Sequence, residues 1–279
     1  MSAARWLAAA ALAAALAGCP RAPPPDLSRD PEQLLEAVRG VQGRVQRVRG
    51  RARVRVESPG ASGTVDELVA AEKPDRLRLE TLDFFGNVAT VLVADGKRFA
   101  LYDAREGVLY RGDATPENVS RLLPLTLPAE EIATMLCGSA PLLPAAPVSV
   151  EPDGALLRLA LASGGARQAL GIGAEAAVEW SHLRRAAAAS GAPGEGPDYD
   201  LAFDVFRHRG GARFPTEVDL SAPSVRVRVA LRWKDDLEVN GPAEPALFRL
   251  EPPRGARVVD LPPGGAAPAA PLPARPSGE

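Results

Sequence analysis

Alternation of charged and apolar residues is the feature that most limits how this chain can fold. Between residues 51 and 57, Ala52, Val54 and Val56 alternate with three arginines and a glutamate. A period of two places the apolar side chains on one face of a β-strand and the charged ones on the other. Related segments occur at 64–71, 76–82, 88–94, 98–103, 148–151, 155–162, 199–208, 212–220 and 225–233. The chain is therefore predicted to be mainly β.

Helix and turn signals divide these strands into two groups. The sequence DPEQ at 30–33 predicts a helix with an N-cap aspartate, which Gly40 and Gly43 end. Pro116 and Pro128 each begin a short helix between the groups, and Asp95-Gly96 and Gly210-Gly211 predict hairpin turns. This order predicts an α+β fold, in which short helices cover a single curved antiparallel sheet or unclosed β-barrel.

The first 19 residues have the layout of an export signal. Arg5 precedes an apolar run, and Trp6 to Gly18 is 13 residues, whereas a membrane-spanning helix needs about 20. The sequence LAGC at 16–19 resembles the lipobox of bacterial lipoproteins, which implies that 1–18 is removed and that Cys19 carries the lipid. Because Pro20 and not aspartate follows the cysteine, the resemblance implies an outer-membrane anchor facing the periplasm.

The rest of the chain is predicted to be one domain between two extended ends. Residues 19–29 form a lipidated, proline-rich tether, and 262–279 is a disordered tail rich in Pro, Ala and Gly. The body spans 30–261. The stretch 184–198, also rich in Ala, Gly and Pro, is predicted to be a long exposed excursion from the sheet.

Several function classes lack the residues they need. A formal net charge of −2 is typical of proteins that do not bind nucleic acid. His182 and His208 stand 26 residues apart without a companion ligand, so we predict no metal site, no cofactor and no enzyme activity. An exported hydrolase is disfavoured because no nucleophile stands beside a base.

Other candidate residues have two interpretations each. The acid pairs Asp198/Asp200 and Asp235/Asp236 fit either a glycosidase dyad or, as we favour, solvated carboxylates. Cys137 is interpreted as a buried structural thiol. A run of arginines either contacts anionic lipid headgroups or, as the alternation favours, forms a solvated face. Its members are Arg39, Arg44, Arg47, Arg49, Arg51, Arg53 and Arg55.

A family resemblance covers about two thirds of the chain, from residue 46 to about 239. It rests on the order of GRARV at 50–54, DRLRL at 75–79, DFFG at 83–86, DATPEN at 113–118, LTLPA at 125–129, CG at 137–138 and FPTEVDL at 214–220. In this order the chain resembles LolB-like outer-membrane lipoproteins. The segment at 247–255 is closer to the C-terminal strand of LolA-type carriers, so the wider LolA/LolB lipoprotein-localisation superfamily is the safer grouping.

The resemblance implies a half-barrel that encloses an apolar cavity for acyl chains. The alternative is that the same side chains fill a solid core, and the pattern does not decide between them. The candidate wall residues are Val54, Val56, Leu77, Leu79, Val91, Val93, Phe99, Leu101, Leu157, Leu159, Phe203, Val205, Val227 and Val229.

The resemblance also implies an exposed loop that meets the membrane. In LolB-like proteins an apolar residue before a glycine projects between two early strands, and Phe85 before Gly86 matches it, with Phe84 beside it. The implied function is a receptor that takes acyl chains of lipoproteins or lipids from a periplasmic LolA-like carrier and passes them to the outer membrane. The alternative is a structural or assembly lipoprotein that binds a protein partner and has no lipid cavity.

Overall fold

A computed structural model describes residues 26–60, 62–121, 123–186 and 196–262. The predicted signal segment, Cys19, most of the tether and the tail from 263 lie outside the described residues, as does 187–195 of the predicted excursion. Within the described ranges, no helix combines the length and the apolar character that a bilayer crossing requires.

Strands make up most of the described chain. Its elements are α1 (Pro31–Gln42), β1 (Arg47–Glu57), β2 (Ser62–Glu72), β3 (Arg76–Leu82), β4 (Val88–Asp95), β5 (Arg98–Asp103), β6 (Val108–Asp113), α2 (Pro116–Val119), α3 (Ala129–Leu136), β7 (Ala146–Asp153), β8 (Leu156–Ser163), β9 (Ala166–Ile172), β10 (Val178–Arg184), β11 (Tyr199–Arg209), β12 (Ala212–Ala222), β13 (Val227–Trp233), β14 (Glu238–Val239) and β15 (Arg257–Asp260).

All described strands belong to one curved, unclosed sheet. Its order is β15-β6-β5-β4-β3-β2-β1-β13-β12-β11-β10-β9-β8-β7, and β14 pairs with β1. Neighbouring strands are antiparallel except β15, which runs parallel to β6. Because β1 pairs with β13, with Val54 opposite Leu231, the meander before the helices and the one after them form a single wall. The predicted fold class is confirmed.

Helices α1 and α2 begin at Pro31 and Pro116 as predicted, whereas α3 begins at Ala129, one residue after the predicted Pro128. The Asp30 carboxylate accepts a hydrogen bond from the Gln33 backbone N–H at 2.9 Å, and α1 buries Leu34, Leu35 and Val38 in the main core. Helix α1 continues through Gly40 and ends at Gly43, so only the second of the two predicted stop signals ends it. The inner face of the sheet and the apolar faces of α1 and α3 share this core.

The outer face of the sheet carries five members of the arginine run, whereas Arg39 lies on α1 and Arg44 in the connection to β1. Arg49, Arg51 and Arg53 are more than half exposed and pair with Glu244, Asp236 and Asp66 respectively. Arg47 and Arg55 pair with Glu72 and Glu57. These contacts agree with the solvated-face interpretation, because the guanidinium groups already have anionic partners on the protein.

Five strands were not predicted, namely β6, β9, β10, β14 and β15. In β9, Gly171 lies directly beneath the indole of Trp180, which leaves no room for a Cβ atom. Such a glycine removes the alternation that signals a strand. The segment 247–255 was also predicted wrongly: Pro245–Phe248 is a 3-10 turn, and the final strand begins at Arg257.

Candidate functional site

A cavity of about 180 Å³ lies between the sheet and its helical cover. One wall is the inner face of β1–β4, β12 and β13, and the cover is α3 with the segment 123–127. The lining residues are Val54, Val56, Ser62, Gly63, Val65, Glu67, Leu79, Thr81, Thr90, Leu123, Pro124, Leu125, Leu127, Ile132, Met135, Leu136, Val218, Leu220, Val229 and Leu231. The polar side chains in this lining are Ser62, Glu67, Thr81 and Thr90, and the rest of the surface is apolar.

Some of the predicted wall residues meet in this cavity. Val54 and Val56 of β1, Leu79 of β3 and Val229 of β13 all line it. They meet because β1 is hydrogen-bonded to β13 on one side and to β2 on the other, and β2 in turn pairs with β3. Inward-facing positions of neighbouring strands then fall in adjacent rows.

Most other predicted wall residues fill the solid part of the core. They are Leu77, Phe99, Leu101, Leu157, Leu159, Phe203 and Val227, each buried in the main apolar cluster and absent from the cavity lining. The inner face of the sheet is thus both a packed core and a cavity wall. The cavity is confined to the part of that face that α3 and the segment 123–127 cover.

Val91 and Val93 were assigned to the wrong face. Leu79 lies opposite Leu92, so Val91 and Val93 point outward, where they pack with Ala70 and Phe248. Strand β4 is buried on both faces because the 3-10 turn containing Phe248 covers its outer side, and alternation carries no information there. Val205 is also not in the wall: its φ is 52° and it interrupts the β11–β12 ladder.

Part of the site could be found only from the structure. The lining from Leu125, Leu127, Ile132 and Met135 comes from the helical cover, and nothing in their spacing distinguishes a cavity lid from ordinary core packing. These residues are buried in an amphipathic helix and in the loop before it, as the residues of any core-facing segment are.

One ionisable side chain faces this apolar space. Glu67 of β2 lies opposite Ala52 and Thr81, and its Oε1 accepts a hydrogen bond from the Thr81 hydroxyl at 3.2 Å. Burial raises the pKa of Glu67 from 4.5 to about 7, although the Thr81 hydrogen bond acts in the opposite direction. The carboxyl group therefore changes charge near neutral pH.

The β3–β4 turn carries two exposed aromatic rings. Phe84 is 95% exposed and Phe85 is 85% exposed, and their ring centroids lie 5.6 Å apart in a T-shaped arrangement. The Asp83 carboxylate accepts hydrogen bonds from the N–H groups of Phe85 and Asn87 at 2.9 and 2.8 Å. Gly86 has a φ of +83°, which favours glycine. The turn thus holds both rings in water.

The aromatic tip, formed by Phe84 and Phe85, lies where β3 ends and β4 begins. The cavity lies near the same strand ends, which we call this edge of the sheet. Thr81 and Thr90 line the cavity and are paired just before the turn, so the tip is about 10 Å farther along the strand direction. Val225, in the β12–β13 turn at the same edge, is also exposed. This edge therefore presents apolar groups to solvent.

The other candidate residues form no reactive cluster. His182 contacts Asp200 at 2.8 Å and His208 contacts Glu175 at 3.3 Å, both on the exposed surface. Cys137 is fully buried, as predicted, and burial raises the pKa of its thiol to about 12. Within the described ranges no group of three or more histidine, cysteine or acidic residues could hold a metal ion.

In the two acid pairs, Asp198, Asp200 and Asp236 each have a hydrogen-bond or ion-pair partner on the protein. Burial acts to raise the pKa of Asp200, but hydrogen bonds from His182 and Arg184 outweigh it and hold the pKa below its usual value. The Asp198 carboxylate accepts the Arg185 backbone N–H at 2.7 Å. Asp236 pairs with Arg51, so these carboxylates stabilise loops and strand ends.

Comparison with solved structures places the fold among LolA-like proteins. A LolA superfamily protein from Nitrosomonas europaea matches at 11% identity and a TM-score of 0.51, over 78% of this chain and 97% of that one. A domain from Vibrio parahaemolyticus, assigned to outer-membrane lipoprotein sorting, matches at 11% identity and a TM-score of 0.53 over 78% and 97%. A DUF1329 family protein from Desulfovibrio piger matches at 11% identity and a TM-score of 0.53, over 80% of this chain and 98% of that one. In sequence, the chain matches no family model and no curated protein.

Proposed function

We propose that this protein is a lipid-anchored receptor of the outer membrane that takes up acyl chains of lipoproteins or lipids and passes them to the membrane. The observation that carries this proposal is the apolar cavity beneath α3, in a sheet whose fold is LolA-like. Acyl chains have no directional chemistry, so a hollow apolar face is sufficient to bind them. In this proposal Cys19 carries the anchor and a periplasmic LolA-like carrier supplies the cargo.

The size of the cavity indicates that uptake requires movement of the helical cover. A volume of about 180 Å³ is below the roughly 300–1,000 Å³ of typical ligand pockets. A ligand with two or three acyl chains therefore has to displace α3 and the segment 123–127. The cover contributes apolar side chains such as Ile132 and Met135, which can repack against the ligand.

The aromatic tip supports a role in release. Two phenylalanines held in water by a hydrogen-bonded turn gain free energy when they enter a bilayer interface. The tip lies at the edge of the sheet where the cavity is lined by Val56 and Ser62, near the turn between β1 and β2. A chain that leaves the cavity at this edge passes close to the bilayer surface.

A delivery assay separates capture from release. The purified protein is loaded with a fluorescent triacylated lipopeptide, and transfer to liposomes is followed in time. Phe84→Glu/Phe85→Glu is expected to bind the lipopeptide normally and to deliver it at least tenfold more slowly, because two charges replace the inserting rings. Val148→Glu is the matched control, since Val148 is a 63% exposed apolar residue on the edge strand β7. Equal delivery by all three proteins contradicts the role of the tip.

A further inference from the structure

Three polar side chains form a row across the apolar cavity. Glu67 of β2 lies opposite Thr81 of β3, and Thr81 lies opposite Thr90 of β4. The register places all three on the inner face, and all three line the cavity. Because neighbouring strands are about 4.8 Å apart, the row extends about 10 Å. We name Glu67, Thr81 and Thr90 the polar row.

Thr90 has an unsatisfied hydroxyl. Thr90 is only 6% exposed, and its Oγ1 has no hydrogen-bond partner within the described residues. A buried hydroxyl without a partner costs free energy, so such groups are rare in folded proteins. A hydroxyl left in this state beside a cavity is available to bind a polar group of a ligand.

Glu67 offers a second hydrogen-bond donor. Thr81 donates its hydroxyl hydrogen to Oε1 of Glu67, so the carboxylic acid still has its own proton to donate when it is neutral. A carbonyl oxygen accepts hydrogen bonds, so it can take one from the Glu67 acid or from the Thr90 hydroxyl, and a ligand with two acyl chains offers a carbonyl to each. Acyl chains in lipids and lipoproteins end in such a carbonyl, as an ester or an amide.

We infer that Glu67 and Thr90 hydrogen-bond ester or amide carbonyls of acyl chains that lie in the cavity. This inference rests on the proposed function and extends it from apolar burial to recognition of the linkage at the head of the chain. An apolar cavity without the polar row binds any hydrocarbon, whereas the polar row fixes how deep the chain enters.

Few charges face Glu67. Ala52 is opposite it on β1, Thr81 is opposite it on β3, and α3 presents Ile132 and Met135 to the cavity. Beyond the polar row, Asp103 of β5 lies opposite Thr90, and its carboxylate accepts a hydrogen bond from the Arg105 backbone N–H at 2.8 Å.

Burial is therefore the dominant influence on Glu67, and its pKa of about 7 makes the acid and carboxylate forms comparable at neutral pH. An acyl chain displaces water and favours the acid, so binding is expected to weaken up to about tenfold between pH 6 and pH 8.

The test compares lipids that differ only in the carbonyl. Binding of diacylglycerol and of its ether-linked dialkyl analogue to the purified protein is measured at pH 6. A second pair, an S-diacylglyceryl lipopeptide and its dialkyl form, carries the lipoprotein head group, so the pair that binds more tightly identifies a lipid or a lipoprotein source. The wild type is expected to prefer each ester about fivefold to tenfold, as one or two net hydrogen bonds predict.

Variants assign this preference to the polar row. Glu67→Leu/Thr90→Val is expected to bind the ester and the ether equally and to lose the pH dependence. Glu67→Gln keeps a donor and is expected to retain the ester preference without the pH dependence. Thr64→Val, on the outer face of β2, is the matched control and is expected to behave as the wild type.

The outcomes distinguish this inference from the proposed function. If the wild type binds ester and ether lipids with equal affinity, the polar row does not read the linkage, although lipid binding stands. If it binds no member of either pair, the receptor function and the inference both fail. A preference for the ester that survives in Glu67→Leu/Thr90→Val assigns recognition to other residues and overturns the inference.

Discussion

Arg185 and Glu131 join the helical cover to the sheet: Nη2 of Arg185 lies 2.7 Å from Oε1 of Glu131. Both side chains are about four-fifths buried, and the Tyr199 hydroxyl donates a second hydrogen bond to Oε2 of Glu131 at 3.0 Å. Glu131 belongs to α3, whereas Arg185 follows β10 and Tyr199 begins β11. These contacts hold α3 over the cavity.

Removing this ion pair should loosen the cover. Glu131→Gln leaves the Arg185 charge without a full partner, and we expect a loss of about 1–2 kcal/mol in the free energy of unfolding. Hydrogen exchange in Ala129–Leu136 should become faster than exchange in the core strands. Glu130→Gln is the control, since Glu130 is exposed on the same helix. Unchanged exchange in Glu131→Gln means that the apolar face of α3 alone holds the cover.

Asp83 should control the order of the aromatic tip. Backbone hydrogen bonds, that from Asn87 foremost, hold the pKa of Asp83 below its usual value. The carboxylate is therefore present, and the turn ordered, at every pH above the normal pKa; that order is lost as the pH falls through the lowered pKa. Asp83→Ala should speed amide exchange of Phe85 and Asn87 and slow lipopeptide delivery, although both rings remain. Equal protection in the variant and the wild type contradicts this role.

Glu67 should reduce stability as the pH rises. Its pKa is raised in the folded protein, so the folded state binds more protons than the unfolded state between pH 4.5 and about 7. Wild-type stability should fall across this window, and Glu67→Gln should not show that fall. We expect the variant to be more stable by at most about 3 kcal/mol above pH 7, with no such gain below pH 4. Denaturant unfolding at several pH values tests this, and parallel curves contradict it.

Cys137 should be inert in the folded protein. With a pKa of about 12 its thiolate fraction at pH 8 is on the order of one in ten thousand, and the side chain is fully buried. In a Cys19→Ser protein, a thiol reagent should label Cys137 only after unfolding. Rapid labelling of the native protein would show that the core beside α3 opens readily.

The sequence predicts best those strands that have one face in the core and one in water. Strand β1 is such a case, because Ala52 and Val54 are buried while Arg51 and Arg53 are exposed. Strand β4 is buried on both sides, so its alternation does not indicate which valines face inward.

The polar row shows where sequence patterns fail for the site. Asp66 and Glu67 are adjacent on β2, and a strand must turn one of them inward. The register decides: Val54 lies opposite Val65, which places Glu67 inside and leaves Asp66 outside to pair with Lys234. Period-two reasoning within one strand expects charged residues in water, so only the pairing with β1 and β3 reveals a carboxyl group in the cavity.

Native mass spectrometry of the purified protein with a triacylated lipopeptide and with its unacylated form tests acyl binding most directly. We predict a one-to-one complex with the acylated form, no complex with the unacylated peptide, and loss of the complex in Ile132→Trp, which fills the cavity from α3. If the wild type binds neither form, or if Ile132→Trp binds as well as the wild type, the cavity is not an acyl site, and a role through a protein partner takes its place.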